Sequence, residues 1–204
     1  LDDAKEFFGN FYNPTNASLA IAGDIDLGAA KDMVVKYFAD LAPGISVGRV
    51  NRLDSALDGF SEITLYDSVL LPKLFLAWPT VPRFHVDEAP LAVLGSILGS
   101  GKSSRLYKEL VYRGRVAQTV GSAHSPSEIA GEFYVEVTAA AGRNQAEIEK
   151  YARDEIEKLC VSLVQPEEIA RVKNHIEWQR SRQMAAIGGF AGRANRLNSF
   201  NVFA

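Results

Sequence analysis

The sequence predicts an α+β fold, in which a mainly antiparallel sheet carries helices packed on one face. Two pairs of segments with strand patterning predict it, one before and one after a central helical region, and further helical segments close the chain. Strands that follow one another closely in sequence pair as antiparallel hairpins, and helices grouped after them cover one side of the sheet. The predicted core therefore lies between one sheet face and the helices.

Composition limits the classes of function. The 204 residues are 47% hydrophobic and 23% charged, which is ordinary for a globular protein, and the net charge of -3 argues against a nucleic-acid partner. The one cysteine, Cys160, excludes an internal disulfide framework, and its apolar helical surroundings predict a core thiol. No apolar run reaches membrane-spanning length. The chain begins at Leu1 within a helical pattern and without a signal peptide, as a fragment of a longer protein would.

The N-terminal part reads as helix, strand and helix. Apolar residues share one helical face over residues 2–12, and a short apolar run at Ala17–Ala22 suits a buried strand. An amphipathic stripe follows over Leu27–Leu41. Residues 44–59 hold glycines and scattered charges and show neither a helical nor a strand periodicity, which predicts a linker.

The next segments supply the predicted sheet. Phe60–Tyr66 alternates imperfectly, and Lys73–Trp78 is strongly apolar, which favours a central strand. His124–Glu128 is predicted to connect a hairpin. The strand at Glu132–Thr138 has the clearest alternation, because Phe133, Val135 and Val137 fall on one face.

A glycine-rich corner organises the middle of the chain. The helical run over Leu91–Leu98 stops at Gly99-Ser100-Gly101, and a second helix restarts with Ser103 or Ser104 as its N-cap. Val116–Val120 then alternates as a strand. Beyond the sheet, helical stripes predict three further helices, at 144–163, from Pro166 to about Met184, and onward to Phe203.

The glycine corner also resembles a phosphate-binding loop, whose pattern is G-x-x-x-x-G-K-[ST]. With Gly101-Lys102-Ser103 in place, the first glycine would have to stand at position 96, which is serine. A phosphate loop also follows a buried strand, whereas this segment follows a helix. A packing turn between two helices is therefore favoured over nucleotide binding, and a nucleotide hydrolase is the most remote of the functions considered.

Two stretches in the same order carry a family resemblance. I-L-G-S-G-K-S-S-R-L-Y-K-E-L followed by V-A-Q-T-V, and F-F-G-N-F-Y-N-P-T-N-A-S-L-A-I-A-G-D-I-D nearer the start, resemble the pitrilysin/insulinase-like zinc metallopeptidases, which include the mitochondrial processing peptidases. The family also has segments that are similar to Y-F-A-D-L-A-P-G and L-A-W-P-T-V-P of this chain. The resemblance spans essentially the whole chain and implies a metallopeptidase half-domain of the processing-peptidase type.

The resemblance implies a zinc protease built from two similar halves, of which only the N-terminal half carries the motif H-x-x-E-H. The chain has three histidines, His85, His124 and His175. His85 begins such a motif, but alanine stands at position 89, where the second zinc ligand belongs, and His175 also lacks a partner. We therefore predict no catalytic residue, no metal ligand and no cofactor in this chain, with zinc held by an N-terminal half upstream of Leu1.

The resemblance also predicts the division of the chain. Residues 1–43 would end the catalytic half, 44–59 would be a linker, and 60–204 would form the non-catalytic C-terminal half-domain. That half would enclose and position peptide substrates together with the catalytic half. We further expect Ala17–Ala22 to add to the sheet built from Phe60 onward. The compartment stays open, although a periplasmic location would suit a bacterial relative.

Three residues are predicted to face the substrate. The family's second half often provides an arginine and a tyrosine in L-R-E-K-x-G-L-A-Y, and these positions fall on Val111 and Gln118 here. Either a homologous companion subunit supplies the pair, or the chain is an interaction or scaffolding subunit without proteolysis. Arg105 could contact a peptide carboxylate, but pairing with Glu109 one helical turn away is favoured.

Overall fold

The computed structural model describes residues 1–48, 57–190 and 192–204. Contacts divide the described residues into two units, one formed by 1–48 with 177–204 and the other by 57–176. Much of the predicted linker at 44–59 lies outside the described residues. The predicted domain boundaries at 43 and 60 stay a prediction.

The first unit is helical. It contains α1 (Asp2–Phe11), a 3-10 turn (Pro14–Asn16), α2 (Leu27–Phe38), the end of α5 and α6 (Arg193–Phe203). Each of the first two helices begins as its sequence predicts, and the Asp26 carboxylate caps α2 by accepting from the Ala29 amide at 2.8 Å. Residues 17–22 form no strand, so the predicted strand is wrong. Ser18 instead bonds to Asn198 of α6 at 2.5 Å.

The second unit contains the sheet. Its elements are β1 (Lys73–Thr80), α3 (Glu88–Gly99), a π-helix (Tyr107–Arg113), β2 (Ala117–Pro126), β3 (Gly131–Ala139), α4 (Gln145–Val161) and the start of α5 (Pro166–Ala185). The three strands are antiparallel in the order β1-β3-β2. The α+β prediction is confirmed. The predicted addition of Ala17–Ala22 to this sheet is not seen, because these three strands are its only members among the described residues.

Two further expectations about the strands need correction. Residues 60–66 form no strand, and Leu65 and Tyr66 are exposed. β1 is an edge strand and β3 the central one, so the prediction that Lys73–Trp78 is central is wrong. The apolar run suggested burial on both faces, but only Leu74 and Leu76 of β1 are buried.

The two faces of the sheet differ. The covered face presents Leu74, Leu76, Val120, Phe133, Val135 and Val137, and α3 and α4 pack on it through residues such as Leu98, Ile148 and Ala152. The open face presents the alternate residues, including Phe75, whose exposed fraction is 59%. This arrangement confirms that the helices pack on one face. Cys160 near the end of α4 is exposed, contrary to the predicted core thiol.

Candidate functional site

The glycine corner lets α3 approach β2 closely. An ideal Cβ on Gly99 would lie 2.3 Å from the Ser122 amide nitrogen, and one on Gly95 would lie 2.9 Å from the Ala123 Cα. No side chain fits at these distances. The two glycines therefore serve the packing of a helix on a strand, a contact that the predicted turn between two helices does not include.

The corner itself turns at Gly101, whose φ of +76° is the left-handed conformation that glycine adopts without strain. Ser104, one of the two predicted N-caps, is buried and starts the next helix. Its hydroxyl donates to the Gly101 carbonyl at 2.7 Å instead of accepting from a helix amide. The corner is thus closed by its own hydrogen bond.

The helix after the corner becomes a π-helix over Tyr107–Arg113, and Val111 lies within it. The Gly114 amide donates to the Glu109 carbonyl at 2.8 Å, and the Val116 amide donates to the Leu110 carbonyl at 2.9 Å. These two hydrogen bonds close the C-terminal end of the π-helix, and β2 begins shortly after it at Ala117. Segments of π-helix are rare and often lie at functional sites.

The structure places the three predicted substrate-facing residues differently. Val111 is partly buried and packs against the core cluster. Gln118 is exposed at a β-bulge, because Ala117 opposes Ala139 while Thr119 opposes Thr138. Bulges re-aim side chains beside functional sites. The π-helix and β2 are in contact, so these two positions lie on adjacent elements.

Arg105 does not pair with Glu109 as predicted. Its Nε and Nη2 donate to the two carboxylate oxygens of Glu168 on α5, at 3.0 and 2.7 Å. The exposed fractions of the two side chains are 17% and 20%. Glu109 instead pairs with Arg113. Sequence spacing favoured the neighbour one turn away and could not show a partner 63 residues distant.

The ion pair changes the proton affinity of both groups. The hydrogen bond from Arg105 lowers the pKa of Glu168 below its ordinary value, and the Gln165 amide adds a further bond to the same carboxylate. The hydrogen bond to Glu168 likewise raises the pKa of Arg105. Because bidentate arginine–carboxylate pairs hold their geometry, this pair fixes the start of α5 against the start of the π-helical region.

The three histidines lie on separate elements. His85 is in the turn before α3, His124 is in β2 and His175 is in α5. The His85 Nδ1 accepts from the Asp87 amide at 3.2 Å, so this ring belongs to the turn. Within the described ranges, no three His, Cys, Asp or Glu side chains form a group that could hold a metal ion.

The open face of the sheet was not identified from the sequence. Tyr134 stands at its centre, opposite Ala77 of β1 and Ala123 of β2. Beside this row, Glu136 pairs with Lys73 at 2.5 Å. Along β1 the buried Leu74 and Leu76 alternate with the exposed Phe75. Because Phe75 is itself apolar, the sequence shows no alternation of polar and apolar residues that would indicate an open face.

In the part of the chain that the structure describes, no helix is long and apolar enough to cross a membrane.

Comparisons with known proteins agree on one family. The family model described as the peptidase M16 inactive domain matches residues 1–176. Zinc protease PqqE of Helicobacter pylori is 31% identical over 121 residues, which is 57% of this chain and 27% of the relative. A zinc protease of Rickettsia bellii is 26% identical over 178 residues, covering 86% of this chain and 41% of that protein.

The solved structures agree on the fold. A crystal structure of a peptidase M16 inactive domain from Pseudomonas fluorescens superposes with a TM-score of 0.77 at 20% identity, covering 99% of this chain and 47% of that one. The chain therefore spans less than half the length of these relatives. With a matched model over most of its length, the chain belongs to the family of peptidase M16 inactive domains.

Proposed function

We propose that this chain is the non-catalytic half of a two-half zinc metalloprotease and that it helps to enclose and position peptide substrates. The zinc site would belong to the N-terminal catalytic half of the same parent protein. Residues 1–43 would end that half, 44–59 would link the halves, and 60–204 would form the non-catalytic half-domain.

Two findings support the division of labour. The similar full-length proteins bear the name zinc protease, whereas the family model that matches this chain is described as inactive. Catalytic zinc needs three protein ligands and an open coordination position. The described residues offer no such group, which fits a chain whose contribution is made through its surface.

The observation that carries the enclosing role is the asymmetry of the sheet. Helices cover one face, while the other presents Phe75, Ala77, Pro79 and Tyr134 together with the charged Lys73, Glu132 and Glu136. Aromatic and small apolar side chains on a rigid sheet suit contact with varied peptide side chains. Such a face would serve as one wall of a substrate chamber opposite the catalytic half.

Peptide hydrolysis by the parent protein tests this role. Phe75→Glu places a charge on the open face, and Val161→Glu places the same charge at the exposed end of α4 as a matched control. We expect Phe75→Glu to lower kcat/KM at least fivefold while Val161→Glu leaves it within twofold. Equal kcat/KM for both variants, at unchanged melting temperature, would exclude a substrate-contacting role.

A second candidate is the non-proteolytic scaffolding subunit, which the residues Val111 and Gln118 favour. In the family resemblance these positions carry arginine and tyrosine, and neither is present. If a companion subunit supplies the pair, the parent alone should be nearly inactive and should gain activity when a homologous subunit with both residues is added. A stable complex that cleaves no peptide would instead establish the scaffolding function.

A further inference from the structure

We propose that Glu132 and Tyr134 of β3 form a binding site for the ammonium group of a lysine side chain on the open face of the sheet. The lysine belongs to a peptide that lies on this face. The inference rests on the proposed function and specifies a substrate class, peptides that carry a lysine.

The chain itself shows how this face holds an ammonium group. The Lys73 Nζ lies 2.5 Å from a carboxylate oxygen of Glu136 and 4.9 Å from the centre of the Phe75 ring. Phe75 and Glu136 oppose each other in the register of β1 and β3. One carboxylate and one aromatic ring therefore hold the cation, through an ion pair and a cation–π contact.

A second carboxylate and aromatic ring stand on the same face without such a cation. Glu132 and Tyr134 are two residues apart on β3, so their Cβ atoms lie about 7 Å from each other on one face. Among the residues that the structure describes, the exposed Glu132 carboxylate forms no ion pair or hydrogen bond, and no cation lies over the Tyr134 ring. This second pair can therefore accept a cation from outside the chain.

The charges of the open face favour a cation at Glu132. The three strands present one positive residue, Lys73, and two negative ones, Glu132 and Glu136, which leaves a net charge of -1 on this face. Lys73 neutralises Glu136, so the remaining negative charge lies at Glu132. Complementary charge of this kind selects partners and suppresses like-charged ones.

The neighbouring side chains suit the long apolar stem of a lysine. Across the sheet, Glu132 and Tyr134 are flanked only by small or apolar residues, namely Pro79, Ser125, Ala77 and Ala123. The methylene groups of a lysine can lie on this floor while the ammonium group reaches the carboxylate. The Ser125 hydroxyl, directly opposite Glu132, can accept a further hydrogen bond from the three donors of the ammonium group.

A metal ion suits this place less well than an ammonium group. It would need several ligands, and within residues 1–48, 57–190 and 192–204 no three His, Cys, Asp or Glu side chains are grouped to hold one. One carboxylate beside an aromatic ring instead matches the surroundings of Lys73.

Binding of two capped seven-residue peptides to the full 204-residue chain, followed by NMR titration, tests the proposal. Both consist of Ala, Thr and Gln around a central residue, which is lysine in one and norleucine in the other. Norleucine keeps the apolar stem and lacks the ammonium group. We expect the lysine peptide to bind about fivefold more tightly, as an ion pair and a cation–π contact at a partly exposed site would give. Equal affinities, or no binding of either peptide, would overturn the inference.

A matched pair of variants locates the site. Glu128 lies in the connection between β2 and β3 and is exposed, so Glu128→Gln changes the net charge as Glu132→Gln does but leaves the open face intact. We expect Glu132→Gln to abolish the preference for lysine and Glu128→Gln to keep it. Equal loss in both variants would assign the preference to net charge and overturn the site.

The aromatic part of the site has its own test. We expect Tyr134→Phe to keep the preference for lysine, since the ring remains, and Tyr134→Leu to reduce it about threefold. Unchanged melting temperatures would show that both variants fold. If Tyr134→Leu keeps the full preference, the ring does not contribute and the proposed site is wrong.

Removal of Lys73 should create a second site of the same kind. Glu132 and Glu136 are four residues apart on β3, or about 13 Å at roughly 3.3 Å per residue. Lys73→Met frees Phe75 and Glu136, so a peptide with two lysines four residues apart should bind this variant about fivefold more tightly than the unsubstituted chain. No gain in affinity would show that the surroundings of Lys73 are no guide to the site at Glu132.

Two combinations of results separate the inference from the proposed function. If the Phe75→Glu parent hydrolyses peptides normally but the 204-residue chain still prefers the lysine peptide, the ammonium site stands and the enclosing role fails. If Phe75→Glu impairs hydrolysis and the chain does not distinguish lysine from norleucine, the inference fails and the proposed function stands.

Discussion

The sheet unit and the N-terminal helices have similar apolar content but opposite burial. All the buried core side chains of the described residues lie between Leu74 and Val172. α1 and α2 bury none, and Phe7, Phe8 and Tyr37 are more than half exposed. Apolar periodicity therefore identifies a helix face without showing what covers it. Core substitutions in the sheet unit should therefore cost more stability than substitutions in α1 or α2.

Truncation of a core side chain should produce the largest effect and the sharpest contrast between the regions. Leu110 of the π-helix is fully buried, whereas Phe8 of α1 has an exposed fraction of 56%. We expect Leu110→Ala to lower the free energy of unfolding by about 3 kcal/mol through lost burial and a residual cavity. Phe8→Ala should change it by less than about 0.5 kcal/mol. Urea denaturation measures both, and equal losses would contradict the contrast.

Adding one methyl group should have the next largest effect. Gly99→Ala would place a Cβ 2.3 Å from the Ser122 nitrogen and force α3 away from β2. We expect a loss of about 2 kcal/mol in the free energy of unfolding. Gly121→Ala, in β2 itself, meets no atom within 4 Å and is the control, with an expected change below about 0.5 kcal/mol. Similar thermal stabilities for the two variants would show that α3 can shift without cost.

These contrasts explain which parts of the sheet could be predicted from the sequence. The strand at Glu132–Thr138 was predicted correctly because Phe133, Val135 and Val137 alternate with polar residues, and one face alone is buried. The apolar run over Lys73–Trp78 predicts a central strand, but it includes Phe75, which lies on the open face of an edge strand. Whether an apolar side chain is buried depends on the neighbouring strand, and local sequence does not record strand order.

The candidate site was less predictable for a related reason. The glycine corner was recognised as a packing turn, because Gly99 and Gly101 are local signals. The partner of Arg105 is Glu168, and nothing in the spacing of the two residues indicates the contact. The bulge at Gln118 likewise depends on the register between β2 and β3, which is a tertiary property.

The ion pair between Arg105 and Glu168 should make a moderate, pH-dependent contribution to the sheet unit. The pKa of Glu168 lies below its ordinary value of 4.5, so the stabilisation is complete above that value and disappears as the pH falls through the folded-state pKa. We expect Glu168→Gln to cost about 1–2 kcal/mol at pH 7. Below the folded-state pKa the variant and the unsubstituted chain should have equal free energies of unfolding.

The exposed pair provides the control for this prediction. Arg113 has an exposed fraction of 68%, and its partner Glu109 lies one turn away on the same helix. Glu109→Gln should therefore cost no more than about 0.5 kcal/mol at pH 7, and high salt should remove most of that. If the two variants lose the same stability, or if the loss for Glu168→Gln is independent of pH, the bidentate pair does not hold the start of α5.

The smallest expected effect is on zinc binding. It tests whether a single histidine at position 89 would be enough to give this chain a zinc site. In sequence, His85-Val86-Asp87-Glu88 lacks only a histidine at position 89. In the structure α3 begins at Glu88, and His85 lies in the preceding turn with its Nδ1 accepting from the Asp87 amide. The i,i+4 geometry that brings two ligands onto one helical face is therefore absent. We expect Ala89→His and the unsubstituted chain alike to retain no stoichiometric zinc after dialysis against a weak chelator, measured by elemental analysis. One zinc per chain in the variant would show that α3 can extend back to His85.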